Sequence, residues 1–209
     1  MRGLANPDSK IYALLNKAVQ LMELSVCVVL CSLPLITVGA AVSSMHSVLL
    51  KIYRDEEKRI AGDFFRAMKE NLKNSTVLWL LYWLYLGVLA GVWAMAVRLA
   101  PEMEVYILFG LLLAAVMGIL YLDWALILQS RYVYTIPQCM KYALLAWLKY
   151  PGSAFVYLIS IAIPVLFCFS LDTLILAFFT AAASHMLSTT LYSRVFDQME
   201  GVPPRMPKL

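Results

Sequence analysis

Apolar residues in this chain come in long blocks and not at the three-to-four spacing of a soluble amphipathic helix. Five blocks, at 18–36, 77–97, 105–128, 151–169 and 173–192, approach the length of about 20 residues that carries a helix across the hydrocarbon core of a bilayer. A sixth, at 40–53, is shorter. At 1.5 Å per residue it spans ~21 Å of the ~30 Å layer, and it contains Ser43, Ser44, His46 and Ser47, so neighbouring helices are expected to shield it from lipid. The first block follows a polar segment and lacks a small-residue cleavage site, so it reads as a retained helix and not as a cleaved signal.

Between the first two blocks lies Leu33-Pro34-Leu35-Ile36-Thr37-Val38-Gly39. Pro34 has no N–H and disfavours helical continuation, and Gly39 tolerates backbone angles that other residues avoid. Pro34, Thr37 and Gly39 therefore mark the turn of a membrane hairpin. Two polar intervals separate the remaining hairpins. In 51–75, Phe64, Phe65, Met68 and Leu72 share a helical face opposite Arg66, Lys69, Glu70 and Lys73, and Gly62-Asp63 offers a break and an N-cap. In 129–150, Pro137 opens a second short helix with Met140, Leu144 and Trp147 along a face and Lys141 and Lys149 beside it. The first reads equally well as a surface helix on the membrane or as a helix packed on the protein's own loops, and the second repeats its theme.

Composition agrees with the pattern. Of 209 residues, 62% are hydrophobic and only 14% charged, with a mean hydropathy of +0.77, which leaves too few polar residues to cover a soluble globule. The net charge of +4 matters less than its distribution. Sixteen of the seventeen Lys and Arg fall in the N-terminal segment, the two polar intervals and the tail, and only Arg98 lies in the other set of turns. Cations collect in cytoplasmic loops, so both termini are expected inside the cell. The expected fold is thus an all-α membrane bundle of six transmembrane helices in three hairpins with two cytoplasmic amphipathic helices. Five crossings remain if the short second helix lies flat or re-enters. A single membrane domain divides into an N-terminal segment 1–17, hairpins at 18–53, 76–128 and 151–192, amphipathic segments at 54–75 and 129–150, and a tail at 193–209.

The order Cys31-Ser32-Leu33-Pro34-Leu35-Ile36-Thr37-Val38-Gly39, a basic loop, then Asp63-Phe64-Phe65-Arg66-Ala67-Met68-Lys69-Glu70-Asn71 resembles the YesL-like family of bacterial integral membrane proteins, uncharacterised and of unknown function. The resemblance covers about the first 80 residues, with an echo at Tyr192-Ser193-Arg194-Val195-Phe196. It departs at Ala40, where the family often has proline. The family has no established activity. Its members tend to be encoded beside carbohydrate uptake transporters, so the resemblance implies an accessory or regulatory role near a carbohydrate ABC transporter permease in the bacterial cell membrane.

Signatures of soluble enzymes are absent: there is no phosphate-binding glycine loop, HExxH, nucleophile elbow or CxxC. No enzymatic activity, cofactor or metal is expected, and the basic patches beside membrane segments suit anionic lipid headgroups and not nucleic acid. Cys27 and Cys31 share a helical face but have no Cys or His at ligand spacing, which makes them packing residues. The polar residues at membrane depth are the remaining candidates, because burial there is costly. Glu23, His46, Asp123, His185 and Ser188 are expected to line an inward-facing polar cleft, or else to satisfy one another structurally across helices. Phe64, Phe65, Arg66, Lys69, Lys73, Lys141 and Lys149 form the expected surface for a partner or for lipid headgroups. A small solute transporter working through the cleft, as a homo-oligomer, is the alternative to the accessory role.

Overall fold

A computed structural model describes residues 10–53 and 59–168, together with 182, 184–186, 188, 189, 192 and 196. Every element in it is helical: α1 (Lys10–Ser32), α2 (Val38–Tyr53), α3 (Ile60–Leu99), α4 (Glu104–Arg131), α5 (Ile136–Lys149) and α6 (Gly152–Cys168), with single 3-10 turns at Leu35–Thr37 and Pro101–Met103. Four stretches among the described residues, Leu15–Ser32, Leu35–Tyr53, Ile60–Leu99 and Pro101–Arg131, are long and apolar enough to cross a membrane. Residues 1–9 of the N-terminal segment, most of the sixth block and all of the tail but Phe196 lie outside the described residues.

The turn between α1 and α2 is held by side chains. The hydroxyl of Thr37 is shared between the carbonyl of Cys31 (2.6 Å), in the last turn of α1, and that of Pro34 (2.8 Å), which also accepts the Thr37 backbone N–H. The indole N–H of Trp79 on α3 donates to the Leu35 carbonyl at 2.8 Å. Gly39 is needed here for space and not for an unusual backbone angle. A Cβ at this position would sit 2.6 Å from the Trp79 Cβ and 2.7 Å from the Ser75 carbonyl oxygen. With Ala40 and Ala41 following, α2 presents its backbone closely to α3.

The expected break at Gly62-Asp63 does not occur. The interval 60–75 and the block 77–97 form one 40-residue helix, about 60 Å long at 1.5 Å per residue. Asp63 is not an N-cap: its backbone N–H donates to the Arg59 carbonyl inside the first turn, and its carboxylate pairs with Lys51 of α2 at 2.9 Å. The carboxylate of Glu23 on α1 instead takes the Ala61 N–H, one of the free donors of that first turn, at 3.2 Å. The packed face of α3 runs through Ile60, Phe64, Ala67, Asn71, Ser75 and Leu78. Phe64 is fully buried in a core with Leu24, Met45, Leu49 and Ile52, whereas Phe65 and Leu72 face outward.

These contacts fix the register. Lys51 meets Asp63 at one end of α2, and Gly39 meets Ser75 and Trp79 at the other, so the α1–α2 hairpin lies along the first half of α3. The second half pairs instead with the start of α4, where Tyr82 and Tyr85 donate to the carbonyls of Ala115 and Ala114. Exposed side chains on the first half of α3 include Arg66, Lys69, Glu70 and Lys73; from Leu80 to Leu99 they are apolar apart from Arg98.

α5 packs through its small residues. The small residues Cys139, Ala143 and Ala146 are buried, while Leu144 is 46% exposed. Short side chains let α5 approach α4 closely enough for the Cys139 thiol to reach the Ala125 carbonyl at 3.1 Å, and Tyr121 donates to the Met140 carbonyl at 2.9 Å. The large residues on the neighbouring face then wall a groove.

Candidate functional site

Between Leu122 and Ser130, α4 is buried at every position, which places Asp123 in the interior. A carboxylate there needs donors. α2 supplies the first. Ser43 donates to the Leu126 carbonyl at 3.1 Å and sets the height of α2 against α4, and Ser44 satisfies itself on the Ala40 carbonyl at 2.6 Å. One turn further, His46 Nε2 lies 3.1 Å from Asp123 Oδ1, with both side chains 0% exposed.

The second oxygen, Oδ2, accepts a hydrogen bond from the hydroxyl of Tyr192. Tyr157 on α6 also interacts with the Asp123 carboxylate. His185 completes the group: its ring meets that of His46 edge-on with centroids 5.9 Å apart, and it lies 5.6 Å from the Tyr157 ring. The His185 carbonyl accepts from Ser188 (2.8 Å) and Thr189 (2.9 Å). Trp124 packs edge-to-face on Tyr192 at 4.6 Å, and its N–H donates to Ser153 at the start of α6 at 3.1 Å. One aspartate thereby ties α2, α4 and α6 to the segment holding His185 and Tyr192.

Of the five residues expected to form a polar cleft, His46, Asp123 and His185 come together, and Ser188 adjoins them through the His185 backbone. Glu23 does not take part; it is exposed and caps α3. The cluster is enclosed and not open: His46 is 0% and Asp123 1% exposed. Its chemistry is that of proton sharing and hydrogen bonding. Both carboxylate oxygens are occupied, so Asp123 is not a free nucleophile. The Nδ1 atoms of His46 and His185 are buried without a hydrogen-bond partner among the described residues. No group of three or more His, Cys, Asp or Glu is arranged to hold a metal ion among the described residues.

The sequence reading missed Tyr157, Tyr192 and Trp124. The available signal was the aspartate itself, since a carboxylate at membrane depth calls for hydroxyl or imidazole donors on facing helices. It also set Phe64 on the partner surface, where burial excludes it. Phe65, Arg66, Lys69, Lys73, Lys141 and Lys149 are exposed.

No curated protein and no solved structure matches the chain. A match of another kind covers α1 from its middle, the Thr37 turn, α2 with His46, and α3 as far as Gly91; Asp123, Tyr157, His185 and Tyr192 lie beyond it. Over those residues, 19–91, the chain is similar to a family described as protein of unknown function, DUF624.

Proposed function

We propose that this is a multi-pass protein of the bacterial cell membrane, YesL-like in kind, with both termini cytoplasmic. It acts without catalysis as an accessory or regulatory partner of a carbohydrate uptake transporter. The observation that carries this reading is α3. Its exposed Phe65, Arg66, Lys69, Leu72 and Lys73 stand on the same continuous helix as the apolar stretch beyond Leu80, so anything docked on the cationic end is coupled mechanically to the membrane part. The sealed His46–Asp123 pair supports a bundle built to hold its shape. The sugar-import setting rests on the family resemblance. Replacing Arg66, Lys69 and Lys73 together with glutamine should abolish co-purification with a sugar permease while protein level holds. Retained co-purification counts against α3 as the docking surface.

The charge pattern favours six crossings in three hairpins. The α1–α2 hairpin, however, lies along the first half of α3 with its tip at Trp79, where the exposed face of α3 turns apolar, and this favours a second layout of four crossings with that hairpin on the cytoplasmic side. A single cysteine at Ile36, in a chain otherwise free of cysteine, tells the two apart: reaction with a membrane-impermeant thiol reagent from outside the cell means six crossings. Protection there leaves four crossings with the hairpin on the cytoplasmic side.

A small solute transporter is the second reading, favoured by the Nδ1 atoms of His46 and His185, which have no hydrogen-bond partner among the described residues and lie in a buried cluster with a carboxylate. Uptake of solute by the purified protein in liposomes, lost in His46→Gln, would establish it over the accessory role.

A further inference from the structure

Where α3, α4 and α5 meet there is a groove of about 400 Å³, within the range of small-molecule sites. Tyr82 and Tyr85 form its floor. Gly118 makes room for this floor: a Cβ there would come within 2.6 Å of the Tyr85 ring and 3.2 Å of the Tyr82 ring, so the glycine lets both rings pack closely on α4. Their hydroxyls are spent on the Ala115 and Ala114 carbonyls, and Tyr121 spends its own on Met140, so the rings offer the groove carbon and not oxygen. The walls are apolar, with Leu144 and Trp147 from α5.

Two features say what fits it. The groove begins at Leu78 and Leu81, the level at which the exposed face of α3 changes from charged to apolar, so in the four-crossing layout it opens just inside the cytoplasmic lipid boundary. Lys141 adjoins it on α5: it follows Met140 and lies three residues before Leu144, both lining residues, and it is exposed. An apolar slot with an exposed lysine beside it matches an acyl chain beneath an anionic phosphate.

We propose that this groove is a lipid site for one anionic phospholipid of the cytoplasmic leaflet, an acyl chain between α3, α4 and α5 and the headgroup phosphate on Lys141. The site is independent of the docking surface on α3, and either can fail without the other.

The test uses the full chain reconstituted in phosphatidylcholine vesicles that contain a minor fraction of lipid with brominated acyl chains, as phosphatidylglycerol or as phosphatidylcholine. Bromine quenches tryptophan on contact, and the difference between the unaltered protein and Trp147→Phe isolates the Trp147 signal. Brominated phosphatidylglycerol should quench Trp147 about fivefold more effectively than brominated phosphatidylcholine, the preference one lysine near the surface supplies. Lys141→Glu should bring that ratio to about one. Met117→Phe with Leu144→Phe, which fills the groove from two walls, should reduce quenching by both lipids. Equal quenching in the unaltered protein overturns the headgroup assignment, as does an unchanged ratio in Lys141→Glu. Quenching that survives the filled groove overturns the acyl site. Trp147 shielded from both lipids, with the protein crosslinking to itself through α5, makes the occupant a second copy and also overturns it.

Discussion

Replacing His46 with leucine removes the donor on one oxygen of Asp123 and leaves a carboxylate at the centre of the bundle with tyrosine hydroxyls alone. Breaking a buried pair by deleting one partner costs about 3–5 kcal/mol. For a chain of this size each kcal/mol moves the midpoint by about 2–4 °C, so His46→Leu should lower it by about 6–20 °C. Asp123→Leu should cost a similar amount for a different reason: it strands the Tyr192 hydroxyl and the His46 Nε2. The informative variant is His46→Leu, Asp123→Leu and Tyr192→Phe together. It replaces the network with apolar groups and leaves only Tyr157 to find another acceptor, and such replacements are often neutral. Thermal unfolding in detergent, followed through the tryptophan fluorescence to which Trp124 contributes beside Tyr192, reads the result. The triple variant should melt closer to the unaltered protein than either single variant does. If the three losses add, the residues contribute as independent packing and the network reading is wrong. Because His46→Leu destabilises, functional tests of this site call for His46→Gln, which keeps a donor.

Three further outcomes follow from the geometry. Gly39→Ala should cost about 1–3 kcal/mol, because its Cβ meets the Ser75 carbonyl on a backbone that cannot move freely, whereas Gly91→Ala, with nothing within 4 Å, should be neutral or stabilising; equal midpoints would refute the close approach. Thr37→Val should lose about 1 kcal/mol as the Cys31 and Pro34 carbonyls lose their shared donor, visible as faster hydrogen exchange at the end of α1. Glu23→Gln should lose no more than about 1 kcal/mol, through a weaker cap on α3, and should leave any activity of the buried cluster unchanged.

Helix identity and approximate ends could be read from the sequence because they depend on local physics. An apolar block of given length and a proline or glycine at its edge say where a helix runs, and α2 and α4 begin and end close to where their blocks do. The costly polar residues were legible for the same reason, since a lone Asp123 or His46 in an apolar block stands out. The continuity of α3 was not legible. Gly62 and Asp63 are a plausible local start, but Lys51 draws the Asp63 carboxylate across to α2, and Glu23 caps the helix in its place.

What the chain specifies by itself is therefore composition along a line: which stretches prefer a helix, which prefer lipid to water, and which side chains cannot stay unpaired in either. What only the tertiary structure decided is which of those side chains meet. His46 and Asp123 are 77 positions apart, and no periodicity links them. They meet because the Ser43–Leu126 hydrogen bond sets the height of α2 on α4 and the missing Cβ of Gly39 brings α2 close to α3. Small residues govern these approaches, Gly39 here and Cys139, Ala143 and Ala146 on α5. A small side chain carries almost no hydrophobic signal in a sequence, yet it decides the distance between two backbones, and through that distance which polar groups find a partner.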